Sequence, residues 1–119
     1  MKEKIVLIPA YEPENNFITL IEKLSLTDLK IIVIDDGSGD NYKDIFEQIS
    51  KNAKVISYKE NKGKGYAIKT GLKYIKENYS SFIVVTMDCD GQHTIEDALK
   101  LIDISKENEN TLILGKRII

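Results

Sequence analysis

The 119-residue sequence has one cysteine, one histidine and no excess of either charge. A single thiol, Cys89, cannot build an internal disulfide framework and suits a reducing compartment. With 17 basic and 19 acidic residues, the balance offers no electrostatic case for nucleic acid as a partner. No apolar run approaches the roughly 20 residues needed to span a bilayer. The opening Ile5-Val6-Leu7-Ile8-Pro9 is too short for the apolar region of a signal peptide. There is no internal repeat, linker or low-complexity segment. What remains is one domain, and 42% apolar with 30% charged residues is the composition of a chain that buries a core. It is expected in the cytoplasm, or as the cytoplasmic part of something larger.

What is present is a regular alternation. Residues 5–8, 31–34, 55–58, 82–87 and 111–114 are apolar runs, three of them rich in β-branched residues. Between them lie stripes at helical spacing: Phe17, Leu20, Ile21 and Leu24; Tyr42, Ile45, Phe46 and Ile49; Ile68, Leu72, Ile75 and Tyr79; Ile95, Ala98, Leu99 and Ile102. Thr94 suits the N-cap of the last helix, with Glu96 and Asp97 complementing its dipole. The order β-α-β-α-β-α-β-α-β with uniformly apolar strands predicts an α/β fold: a Rossmann-like, open, mainly parallel sheet with helices on both faces. Ligands of such sheets bind beyond the carboxyl ends of the strands. The unusual residues fall there: Pro9-Ala10-Tyr11 after the first strand, Asp35-Asp36 after the second, Asn61-Lys62-Gly63-Lys64-Gly65 after the third, and Asp88-Cys89-Asp90 after the fourth.

Asp88 and Asp90 stand at i and i+2, which point the same way in an extended chain. Two carboxylates so close need a counter-charge. A hard divalent cation, Mg²⁺ or Mn²⁺, supplies one, and such ions suit phosphates. Asp35-Asp36-Gly37-Ser38 taken alone reads as a turn, or as carboxylates that accept from a nucleobase NH or a ribose hydroxyl. Its coincidence with the second acidic pair on one sheet edge favours the latter. The glycine-rich loop can bring backbone NH groups to an anion, with lysine as countercharge. It lacks the third glycine of a dinucleotide fingerprint, and Lys69-Thr70 lacks the glycine of a P-loop. His93 can ligate a metal, cap the following helix or lie in solvent. Cys89 points away from its neighbours and is expected to pack. Its flanking carboxylates disfavour a thiolate. Tyr11 can stack a base or pack under its loop.

Ile8-Pro9-Ala10-Tyr11, Val33-Ile34-Asp35-Asp36-Gly37-Ser38-Gly39-Asp40, Asn61-Lys62-Gly63-Lys64-Gly65-Tyr66-Ala67, Asp88-Cys89-Asp90-Gly91-Gln92-His93 and Leu112-Ile113-Leu114-Gly115-Lys116-Arg117 occur in that order. Together they resemble the family 2 glycosyltransferases of GT-A fold, especially polyprenyl-phosphate sugar transferases of the dolichol-phosphate mannose synthase type. The resemblance implies a UDP- or GDP-sugar donor, a lipid-phosphate or saccharide acceptor, and inversion at the anomeric carbon. It implies that Pro9, Ala10, Tyr11 and Asp36, with Asp35 nearby, bound the base and ribose. Lys64 would lie close to the nucleotide and Asp88 near the ribose and metal. Asp90 would hold Mg²⁺ or Mn²⁺ on the diphosphate, and Gln92 would face the sugar or acceptor.

The chain departs from the family in Glu12-Pro13-Glu14, where Asn-Glu-Glu is usual, in Cys89 for alanine, and in length. Residues 1–119 are expected to form the nucleotide-sugar-binding half of a longer domain, with the acceptor site and any catalytic base outside it. The alternative function is a donor-binding half-domain without activity of its own. The family places an antiparallel strand beside the fourth strand; the strand at 111–114 is then expected to lack its usual neighbour, giving a homodimer through an unpaired edge or a disordered C-terminus. Two other classes fail on position. A response-regulator receiver needs acids after strand one and an aspartate after strand three, where Pro9-Ala10-Tyr11 and Tyr58-Lys59-Glu60 stand. A sugar nucleotidyltransferase needs a glycine-rich loop after strand one.

Overall fold

A computed structural model describes residues 2–89, 95–105 and 111–113. The strands are β1 (Glu3–Ala10), β2 (Lys30–Asp36), β3 (Lys54–Tyr58), β4 (Phe82–Thr86) and β5 (Thr111–Ile113). The helices are α1 (Asn16–Leu24), α2 (Lys43–Ile49), α3 (Lys64–Asn78) and α4 (Ile95–Ser105). All strand pairs are parallel, in the order β3-β2-β1-β4-β5. The chain builds outward from β1 to β3, then returns through α3 to lay β4 on the other side of β1. The topological switch therefore falls between β1 and β4, where such sheets bind ligands.

The aliphatic runs form strands because both faces of each are covered. Alternate residues feed two cores. Val6, Ile8, Ile31, Val33, Ile83 and Val85 pack with Phe17, Ile21 and Leu24 of α1, Ile45, Phe46 and Ile49 of α2, and Ala98 and Ile102 of α4. On the other face Ile5, Leu7, Ile32, Ile34, Phe82 and Val84 meet Ala67 and Ile75 of α3. Among the described residues three helices thus cover one face and α3 covers the other. The buried line of α3 is Ala67, Gly71 and Ile75, one step from the expected stripe, whose Ile68, Leu72 and Tyr79 flank it half-buried. The small residues let the helix axis lie close to the sheet: a Cβ on Gly71 would stand 2.3 Å from Leu7 Cδ1.

Residues 111–113 pair in parallel with Ile83–Val85, so β5 lies directly beside β4 as an outer strand of the sheet among the described residues. One other expectation is revised. The helix after the glycine-rich loop begins at Lys64, so Gly65 lies in its first turn rather than in the loop. Thr94 and Leu114 lie outside the described residues. No helix among the described residues is long and apolar enough to cross a membrane.

Candidate functional site

Parallel pairing fixes which residues meet at the carboxyl edge. Ala10 pairs with Asp35, Asp36 with Tyr58, and Leu7 with Thr86. The three loops that leave β1, β2 and β3 therefore start side by side and bind one another. The backbone NH of Glu12 donates to Ser38 Oγ at 2.9 Å, tying the β1 loop to the β2 turn. Glu12 holds a φ of 47°, a left-handed conformation that an L-residue keeps only when its surroundings impose it. Asp35 Oδ1 accepts from the NH of Ser38 at 3.0 Å, an aspartate closing its own turn. Gly37 has φ 71°, and a Cβ there would lie 2.3 Å from the backbone nitrogen of Asn61. The β2 turn thus rests backbone-to-backbone on the loop after β3, and only glycine fits.

Asp36 organises that third loop. It is 3% exposed, and a buried carboxylate is stable only with its lone pairs engaged. Its Oδ1 accepts from Tyr58 Oη at 2.6 Å and the NH of Lys62 at 2.9 Å. Its Oδ2 accepts from Asn61 Nδ2 and the NH of Gly63, both at 2.9 Å. Asn61 Nδ2 also donates to the Asp36 carbonyl at 3.1 Å. Gly63, at φ 97°, is the N-cap of α3, so a negative charge stands at the positive end of that helix. Burial, together with the bond to Asp36, pushes the Tyr58 phenol well above the usual tyrosine range. The Tyr58 ring meets Tyr66 edge-on, with centroids 5.4 Å apart.

Held this way, Lys64 opens α3 and reaches across to the segment that leaves β4: its Nζ donates to Asp88 Oδ1 at 2.7 Å. A depression of about 360 Å³ lies between, lined by Pro9, Ala10, Tyr11, Asp36, Asn61, Gly63, Lys64, Asp88 and Cys89. Tyr11 is 48% exposed at this depression, a ring offered to solvent rather than packed under its loop. Cys89 is half-buried against the larger core, as expected of a packing residue, and also borders the depression. Of the predicted site residues, Pro9, Ala10, Tyr11, Asp36, Lys64 and Asp88 are brought together here. Asp35 is not: it lines a separate hollow of about 700 Å³ between α2 and β3, with Lys43, Phe46 and Tyr58. Asp90, Gln92 and His93 lie outside the described residues.

The sequence reading missed Tyr58 and Asn61 as the partners of Asp36. Tyr58 carried a signal, a phenol ending a strand beside an acidic strand end, but it becomes readable only once β3 is in register with β2. No group of three or more His, Cys, Asp or Glu gathers around a point among the described residues. The carboxylate of Asp88 is a hard oxygen donor whose described partner is the Lys64 ammonium.

The model of the family described as "Glycosyl transferase family 2" matches residues 5–119. Among curated relatives, the chain is 33% identical to a UDP-N-acetylglucosamine–dolichyl-phosphate N-acetylglucosaminyltransferase of Methanococcus voltae, over 99% of this chain and 54% of the relative. It is 29% identical to a dolichyl-phosphate β-glucosyltransferase of Dictyostelium discoideum, over 94% of this chain and 39% of the relative. It is also 29% identical to an undecaprenyl-phosphate 4-deoxy-4-formamido-L-arabinose transferase of Serratia proteamaculans, over 90% and 35% respectively. The chain spans about half the length, or less, of these relatives. No solved structure gives a significant match.

Proposed function

Because the chain belongs to glycosyl transferase family 2, we propose that it holds the nucleoside-diphosphate-sugar donor of a transferase that acts on polyprenyl phosphate, with inversion. The observation that carries this is the depression at the switch point, with an exposed aromatic ring at one side and an aspartate–lysine pair at the other. The names of the relatives, with dolichyl or undecaprenyl phosphate as acceptor, support the acceptor class. The Methanococcus relative supports a UDP-sugar ahead of a GDP-sugar.

In this reading Tyr11 stacks the base, and Pro9 and Ala10 form the floor beneath it. Asp36 keeps the wall made by Asn61 and Gly63 in place and borders the ribose, with Asp35 behind the β2 turn. Lys64 faces the diphosphate, and Gln92 the sugar. Mg²⁺ or Mn²⁺ on Asp88 and Asp90 would neutralise charge on the leaving nucleoside diphosphate. The bond from the anomeric carbon to the diphosphate oxygen breaks, its electron pair leaving with the nucleotide. An acceptor phosphate oxygen closes on the opposite face. An ionised phosphate needs no general base to attack.

The share of the relatives' length that the chain spans favours a narrower second reading, that these 119 residues bind the donor without turning it over. Calorimetry with UDP- and GDP-sugars, with and without Mn²⁺, tests binding; transfer of labelled sugar to polyprenyl phosphate tests turnover. Donor binding that strengthens with Mn²⁺ and weakens in Asp90→Ala is expected. Binding indifferent to both removes the metal, and transfer by the 119 residues alone removes the narrower reading.

A further inference from the structure

We propose that Lys64 is an exchangeable counter-ion, paired with Asp88 before the donor binds and with the donor's diphosphate afterwards. This rests on the donor reading above. The Lys64 ammonium lies 2.7 Å from Asp88 Oδ1, inside the depression both residues line. The lysine side chain is 60% exposed and that of Asp88 27%, and an ion pair so open to water is held weakly. It can be exchanged at little cost.

Charge also favours exchange. A divalent cation seated on Asp88 at coordination distance, about 2.0–2.6 Å, would stand against the ammonium, and the two would repel while Lys64 stayed. The loop supplies the lysine with an alternative. Asp36 already takes the NH groups of Lys62 and Gly63. The start of α3 still offers an anion its first-turn backbone and the Lys64 side chain. Lysine suits the task because its compact charge rides on a flexible stem and is not locked in a planar fork. One weak pair is thereby replaced by two, cation with Asp88 and ammonium with phosphate. Lys64 is a positioning residue in this scheme; it times the arrival of metal and diphosphate together.

The test is titration calorimetry on the 119-residue protein and its Lys64→Met and Lys64→Arg variants, with Mn²⁺ alone, with UDP and GDP both without metal and with Mn²⁺, and with uridine and guanosine. Lys64→Met should bind Mn²⁺ alone about tenfold more tightly and the nucleoside diphosphate about tenfold more weakly, with nucleoside affinity unchanged. Lys64→Arg should keep diphosphate affinity within about threefold. Mn²⁺ affinity in Lys64→Met at or below that of wild type overturns the exchange, as does diphosphate affinity indifferent to the substitution. Lost nucleoside affinity would make the lysine part of the framework and overturns it too. Wild-type protein that binds neither UDP nor GDP with Mn²⁺ present removes the donor reading and the exchange together. Intact nucleotide binding that ignores residue 64 removes the exchange alone.

Discussion

Asp36 shows how one side chain can build a site wall. Its two oxygens accept from a strand-end tyrosine and from three successive residues of the next loop. Removing it leaves those donors without their acceptor in a largely buried place. Asp36→Ala should therefore cost about 3 kcal/mol or more. Asp36→Asn should recover little of that, because its amide nitrogen would face donors wherever it points. Tyr58→Phe, which deletes one bond to a charged group, should cost about 1.5–3 kcal/mol. Urea unfolding of the three variants measures all of these. The same phenol predicts a pH dependence. Its pKa is raised in the folded protein, so its contribution is complete below the unfolded value near 10 and fades as pH climbs towards the folded value. Stability should fall above about pH 10, and Tyr58→Phe should flatten that fall. A phenol whose ultraviolet titration ran at the ordinary tyrosine pH would contradict the assignment. The acidic pair 35–36 stood out in the sequence, yet the division of labour inside it did not. Which aspartate turns back on its own loop and which reaches the next depends on the parallel register of β2 with β3.

At the scale of elements the alternation of apolar runs and helical stripes gave strands and helices in their right order, because both faces of the sheet demand apolar cover. The buried line of α3 escaped it. Glycine and alanine contribute little to a hydrophobic stripe, but here they are what allows close approach. Gly71→Ala sets two effects against each other. Helix propensity favours alanine by about 1 kcal/mol. The new methyl would meet Leu7 Cδ1 at 2.3 Å, Cδ2 at 2.9 Å and Cγ at 3.1 Å, and overpacking of this kind costs about 1–3 kcal/mol. Leu7 is fully buried, so the clash should win and the variant lose about 1 kcal/mol. In a Leu7→Ala background the obstruction is gone, and the same substitution should turn stabilising. A double-mutant cycle by chemical denaturation reads the change of sign.

At the scale of the whole molecule the decisive feature is the unequal cover of the sheet among the described residues. The face built on Ile5, Leu7, Ile32, Ile34 and Val84 has α3 over it, and the first residues of that helix are also the wall of the depression. Pulling the loop open is then not a local event. If the N-terminal turn of α3 lifts, the second core is bared, and the cheapest route to an opened site approaches the route to the unfolded chain. The amide protons of Lys62 and Gly63, although they belong to a glycine-containing surface loop, should exchange with solvent almost as slowly as those in the middle of β1. Fast exchange at these two amides beside slow exchange in β1 would refute this. A protein wired in this way spends its global stability on keeping one small cleft preformed, so a ligand seated there should raise the melting temperature of the entire domain rather than stiffen a single loop.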